Sequence, residues 1–251
     1  MNAAVVGAGI MGASAALALA GEGHDVTVFE QFDVDHDRGS SFGDSRIIRR
    51  FYDDPVYTAL MPAAYDMWRR LERATGTRLI EPLGGLYFGP RGHARIASAR
   101  AGLRSIGARD DELDAAALRE RFPAFRFDDD ETGVVDELAG SLPASRCVRA
   151  TVDAARRAGA RVVTGEPKRV ERAPGGGVHL SGDSGAERFD RAVVCAGPWS
   201  RSLLPELQLP LRVTKQQYVH LAPTSDAAAF EPGSMPIWID AATDWYGFPL
   251  H

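Results

Sequence analysis

NAAVVGAGIMGASAALALAGEGHDVTVFE, residues 2–30, decides the fold. Asn2–Val6 is a short apolar run suited to a buried parallel strand. Gly7-Ala8-Gly9-Ile10-Met11-Gly12 follows and opens an alanine- and leucine-rich helix that fades over 21–23. A second apolar run, 25–29, ends in Glu30. Gly7 permits a tight turn, Gly9 lets backbone approach a pyrophosphate, and Gly12 allows close helix–strand packing. The helix N-terminus, beginning with Ile10 and Met11, offers free N–H groups and a positive dipole end to phosphates. Glu30, 18 residues past Gly12, is placed to accept hydrogen bonds from ribose hydroxyls. Strand, turn, helix and acidic strand end together predict a dinucleotide site. The motif does not separate NAD from FAD, although the acidic strand end disfavours the 2′-phosphate of NADP.

Working outward, 251 residues correspond to about 1.7 domains at the usual length per domain. Apolar residues at 45% and charged residues at 25% exclude global disorder. A net charge of −5 carries no nucleic-acid footprint and no polybasic membrane patch. Cys147 and Cys195 cannot form a disulfide framework or a zinc site, and the six scattered histidines show no i, i+4 metal pairing, so no metal is expected. Residues 1–21 are apolar, but they lack a basic n-region and are interrupted by glycine, which argues against a signal peptide or membrane span. A reduced, cytoplasmic compartment is the default expectation.

Residues 39–52 then read GSSFGDSRIIRRFY, a departure from regular βα units. Glycines and small hydroxyl residues can bring backbone donors against a planar ring or a phosphate. Arg46 and Arg49 would lie within reach of one site if the segment were helical, and arginine forks suit a carboxylate. The segment alone also fits a glycine-rich loop with solvated arginines. Further along, 142–158 has helical apolar spacing capped by Gly159, and 161–164 is a short strand. The runs 168–172 and 178–181 flank a Pro-Gly-Gly-Gly turn, and 192–195 reads as another buried strand. The acidic run 128–131 reads as a solvated loop, and both cysteines read as core residues.

The 39–52 segment resembles the GSxxGDTRIIR stretch of the monomeric sarcosine oxidase and N-methyltryptophan oxidase family, among the D-amino-acid-oxidase-like flavoproteins. Collinear matches follow. Residues 55–73, with Tyr57, Ala64 and Trp68, resemble the family's next helix, and Gly84-Gly85-Leu86-Tyr87-Phe88-Gly89-Pro90 resembles the strand that starts its substrate domain. RAVVCAGPWS (191–200) and Leu203-Leu204-Pro205 resemble the strand and loop that return to the cofactor. Trp245-Tyr246-Gly247-Phe248-Pro249 is similar to a Y-Y-G-F-P strand. The resemblance implies an α/β fold: a Rossmann-like, two-dinucleotide-binding FAD domain plus an α+β substrate domain carrying an antiparallel sheet. The FAD domain would comprise 1–80 and 143–210, and the substrate domain 81–142 and 211–251.

The same resemblance implies FAD as cofactor and an amino-acid substrate and O2 as partners; the oligomeric state stays open, with a monomer as the default expectation. The implied reaction oxidises a secondary or N-methylated amino acid to an imine and reduces O2 to H2O2. Arg49 matches the arginine that pairs with the substrate carboxylate, Arg46 and Ser45 match positions near the flavin ring, and Tyr246 matches an active-site tyrosine. Ser40, Ser41, Gly43, Gly197 and Trp199 are expected beside the cofactor, and the strand near Lys168 is expected to give backbone contacts to adenine. Phe42 stands where relatives often carry histidine, and Ser45 replaces threonine. The chain stops at His251, after the YGFP strand, whereas family members continue with an oxygen-activating lysine, a flavin-linking cysteine and a G-x-S-G-H-G-F-K segment. Neither Lys215 nor the two cysteines match those positions, and the chain is therefore expected to be a fragment. Two alternatives stand beside the oxidase reading: an NAD-dependent dehydrogenase, and a non-catalytic remnant that binds a nucleotide or a partner.

Overall fold

The computed structural model describes residues 1–250. In chain order the elements are β1 (Asn2–Val6), α1 (Ile10–Gly21), β2 (Asp25–Glu30), β3 (Arg46–Ile48), α2 (Pro55–Thr75), β4 (Glu81–Pro82), β5 (Gly85–Pro90), α3 (Ala94–Ser105), β6 (Glu112–Asp114) and α4 (Ala115–Arg121). They continue with β7 (Glu131–Asp136), β8 (Gly140–Leu142), α5 (Ala144–Arg157), β9 (Arg161–Thr164), β10 (Arg169–Arg172), β11 (Val178–Gly182), β12 (Gly185–Phe189), β13 (Arg191–Val194), α6 (Ser200–Leu203), β14 (Ile237–Asp240) and β15 (Tyr246–Gly247).

The chain divides into two compact units. The first comprises Met1–Asp44, Leu71–Thr77 and Pro143–Gln217; the second comprises Ser45–Arg70, Arg78–Leu142 and 218–250. The division expected from the sequence keeps 1–80 together and starts the last substrate segment at 211, whereas 45–70 and 78–80 fall in the second unit and 211–217 in the first. Local pairing explains the placement of 45–70: β3 is antiparallel to β8, and Phe51 lies in the second unit's core.

In the first unit a four-stranded parallel sheet runs in the order β13-β1-β2-β9. Counted within this sheet, that is the 3-2-1-4 order of a doubly wound nucleotide-binding fold. Both faces of β1 are buried, which is why its sequence is a continuous apolar run rather than an alternating one. Val5 packs with Ala16, Ala20, Val26, Val28 and Ala155, joining the sheet to α1 and α5. Small side chains at Gly12, Ala13 and Ala16 let α1 seat closely. Ala4, Val6 and Phe29 instead meet Leu180 and Phe189 of the antiparallel meander β10-β11-β12, with the Phe29 and Phe189 rings edge-to-face at 5.7 Å. Each fully buried valine contributes about 1.5–3 kcal/mol relative to exposure. Because β1, β2 and β13 are parallel, their carboxyl ends lie along one edge of the sheet, and the Gly7–Gly12 turn, Glu30 and the loop after β13 converge there.

The second unit carries a five-stranded sheet, β15-β14-β5-β7-β6, in which only the β14–β5 pair is parallel. Phe51, Tyr87, Ile96, Leu103, Val134 and Ile237 form one core, and Leu86, Leu118, Phe122 and Phe127 another. Residues 46–48 are a strand rather than a turn of helix. The β-branched Ile47 and Ile48 pair with Ser141 and Gly140. Arg46 and Arg49 therefore do not share a helical face, and the shared-site reading based on helical spacing is corrected. The run 128–131 is a loop only to Asp130, since Glu131 opens β7.

Candidate functional site

In the first unit the site is built on the turn after β1. Gly7 has φ +103°, a conformation that side chains rarely adopt, and its N–H donates to the Phe29 carbonyl at 2.8 Å. A Cβ at Gly12 would stand 1.8 Å from the Gly7 oxygen, so α1 packs directly on the turn. The first helical bond runs from the Ala13 N–H to the Gly9 carbonyl at 2.9 Å. Of the three N–H groups before it, that of Ile10 donates to Ser41 Oγ at 3.1 Å. Those of Met11 and Gly12 have no acceptor among the described residues. These orphan donors, at the positive end of α1, suit an anion.

Glu30 is buried at the end of β2. Its Oε2 accepts the Ala8 N–H at 2.8 Å and its Oε1 the Phe32 N–H at 3.1 Å, which fixes the carboxylate against the glycine turn. Each oxygen keeps a second lone pair for a hydroxyl donor. Around it, Phe32, His36 and Trp199 form an edge-to-face trio, and the Arg38 guanidinium lies 4.5 Å over the Phe32 ring. The orphan amides, the acidic strand end and the glycine-rich turn fit the phosphates and ribose of a dinucleotide.

The other sequence-predicted residues of this unit fall as follows. Gly43 is locked to the start of α5 by reciprocal bonds: its N–H donates to Ser145 Oγ at 3.1 Å, and its carbonyl accepts the Ser145 N–H at 3.0 Å. Ser40 is exposed beside Ser41. Gly197 has φ +51° with open space around it, and Trp199 follows in the same short turn. The Lys168 side chain is committed elsewhere. Its Nζ donates to Glu166 Oε2 and Ser184 Oγ, both at 2.9 Å, and lies 5.4 Å from the Phe29 ring, so only its backbone is available to a ligand. Hydrogen bonds from Ser184 and Lys168 pull the Glu166 carboxyl down to about 2.

Ser45, Arg46, Arg49 and Tyr246 belong to the second unit. Arg46 is exposed on β3, and its guanidinium donates to the Ser45 carbonyl at 2.6 Å. Tyr246 is exposed on β15, opposite Ile239. Arg49 is different. Its Nε donates to the Phe51 carbonyl at 3.1 Å, and its guanidinium lies 4.5 Å over the Tyr52 ring and 5.5 Å from Phe51. It makes no ion pair among the described residues, and burial lowers its pKa.

Its neighbours are paired. Arg50 donates from Nε and a terminal nitrogen to Asp136 Oδ1 at 3.0 and 2.6 Å, and from its backbone N–H to Oδ2 at 2.9 Å. The Leu138 N–H adds a fourth bond at 3.0 Å to this fully buried carboxylate. Arg95 bridges Asp53 at 3.0 Å and Asp244 at 2.5 Å. Sequence reasoning missed Arg50, Asp136, Tyr52 and His36; only the Arg49-Arg50 doublet offered a signal. Among the described residues no group of three His, Cys, Asp or Glu side chains could hold a metal, and no helix is long and apolar enough to cross a membrane.

Comparison with known proteins places this geometry. A family model described as FAD dependent oxidoreductase matches residues 2–250. Peroxisomal sarcosine oxidase of Mus musculus is 36% identical over 216 residues, covering 85% of this chain and 55% of the relative. Monomeric sarcosine oxidase of Streptomyces avermitilis is 31% identical over 249 residues, covering 98% and 65%. The chain thus spans about half to two thirds of the length of these relatives. Among solved structures, NikD, an unusual amino acid oxidase essential for nikkomycin biosynthesis, aligns with a TM-score of 0.70 and 28% identity over 82% of this chain and 53% of its own. L-proline dehydrogenase from P. horikoshii shares the fold, with a TM-score of 0.78 at 15% identity over 98% of this chain and 66% of its own.

Proposed function

From a chain that belongs to the FAD dependent oxidoreductase family, we propose an oxidase of secondary or N-methylated amino acids that uses O2 as electron acceptor and releases H2O2. Family membership sets aside the NAD-dependent dehydrogenase alternative. The observation that carries the substrate class is Arg49. A desolvated guanidinium whose terminal nitrogens have no carboxylate partner among the described residues favours an incoming anion. An amino-acid carboxylate fits a planar fork better than it fits a point charge. The Tyr52 ring holds the guanidinium plane in place, so little rotamer freedom is lost on binding. The names of the relatives, sarcosine oxidases above all, support the same class.

We assign nucleotide binding to the first unit and substrate recognition to the second. In the first, the Met11 and Gly12 amides would hold the pyrophosphate, Glu30 the ribose hydroxyls, and Ser40, Ser41, Gly43, Gly197 and Trp199 would line the cofactor. FAD, if bound, would supply the two-electron redox chemistry that couples amine oxidation to O2 reduction. Within the second unit, Arg49 would orient the substrate by its carboxylate, Arg46 would supply positive charge, and Tyr246 would contribute a phenol. The test is to load the purified protein with FAD, record the visible spectrum, and assay peroxide with N-methyl and cyclic amino acids. Flavin binding with turnover on at least one of them is expected. Bound flavin without turnover across the panel would overturn the proposed activity.

A further inference from the structure

We propose that His36 is a positioning residue for the cofactor's ribose, acting through Glu30; this rests on the flavin reading of the first unit. His36 Nδ1 accepts the Arg38 N–H at 3.1 Å. A neutral imidazole that accepts at one nitrogen carries its proton on the other. That second nitrogen, Nε2, stands 3.6 Å from Glu30 Oε1. The Arg38 bond therefore sets the tautomer that presents an N–H dipole to the carboxylate. The ring is held edge-on by Phe32 at 4.8 Å and Trp199 at 6.0 Å, and its side chain is mostly buried. A Cβ at Gly39 would stand 3.2 Å from His36 Cε1, so the backbone after Arg38 closes over the ring.

The consequence is electrostatic. Glu30 already accepts one N–H on each oxygen, and His36 adds a third positive dipole to a carboxylate removed from water. This holds the carboxylate's free lone pairs in a fixed direction, as needed to accept hydroxyl donors. The same imidazole ties the 31–39 loop to Trp199, so strand end, loop and return turn are held as one surface. His36 touches the acid, not the ligand.

The test is FAD titration by flavin fluorescence quenching on the unaltered protein and on variants. His36→Leu keeps bulk between Phe32 and Trp199 but removes the N–H, and is expected to raise the Kd about tenfold. His36→Gln restores a donor and is expected to bind within about threefold of the unaltered protein. In a Glu30→Gln background, His36→Leu should change the Kd by less than about twofold, because its target charge is gone. Unchanged binding by His36→Leu, an equal penalty in both backgrounds, or failure of His36→Gln to recover affinity would each overturn the proposal. His36→Asn, which keeps the acceptor for Arg38 but cannot reach Glu30, makes the same comparison should the leucine variant not fold. No FAD binding by the unaltered protein would overturn both this proposal and the flavin reading.

Discussion

Asp136→Ala is expected to destabilise the second unit strongly. The Asp136 carboxylate is fully buried and accepts four hydrogen bonds, three from Arg50 and one from the Leu138 amide. Removing it strands a guanidinium whose side chain is only 20% exposed, together with two backbone N–H groups. Breaking a buried pair from one side costs about 3–5 kcal/mol. Partial access of Arg50 to solvent argues for the lower end, about 3 kcal/mol. For a chain of this length that corresponds to a fall in Tm of roughly 6–12 °C. Asp136→Asn keeps an acceptor but not the charge, and should fall by roughly half as much. Scanning calorimetry or dye-monitored melting reads both. Because the Arg50 amide is fixed by this carboxylate and lies next to Arg49, the alanine variant should also weaken carboxylate binding. A Tm within about 1 °C of the unaltered protein would refute the view that this pair anchors the segment.

Other outcomes follow from the same structure. Gly12→Ala would place a methyl 1.8 Å from the Gly7 carbonyl, within a backbone contact that cannot yield, so FAD binding should be lost and the Tm lowered. Soluble Gly12→Ala protein with unchanged flavin affinity would contradict the turn geometry. Glu166 has a folded pKa of about 2 against an ordinary 4.5, so its stabilising contribution is complete above pH 4.5 and is lost as pH falls toward 2. The gap in urea midpoint between the unaltered protein and Glu166→Gln should accordingly be present at pH 6 and close on acidification; a gap independent of pH would refute the assignment. Arg49→Lys keeps the charge but loses the fork, and should raise KM for an amino-acid substrate roughly tenfold with little change in FAD affinity.

What was legible in the sequence was local. The strand, turn and helix at the amino end follow from a run of apolar residues and from glycines that no other side chain replaces. Arg49 could be singled out because its motif is contiguous. Pairings distant along the chain were not legible. Asp136 lies 86 residues from Arg50, and nothing about a lone aspartate at a strand end announces that partner. The third strand of the meander, GAERF, carries charge on an exposed face and shows no clean alternation. The spacing of Arg46 and Arg49 suggests a helical face, whereas the two isoleucines between them and a distant partner strand decide the conformation. His36 looked like one scattered histidine because its role comes from Glu30, Arg38 and Trp199 meeting around it.

The central claim is that the first unit holds FAD while Arg49 grips an amino-acid carboxylate. It is tested most directly by loading the unaltered protein and Arg49→Ala with FAD and following perturbation of the flavin spectrum as sarcosine is added without oxygen. The account predicts a bound flavin in both, within about threefold in affinity, and a sarcosine affinity at least about 30-fold weaker in the alanine variant. Equal sarcosine affinity in the two proteins, or no flavin in either, would contradict it.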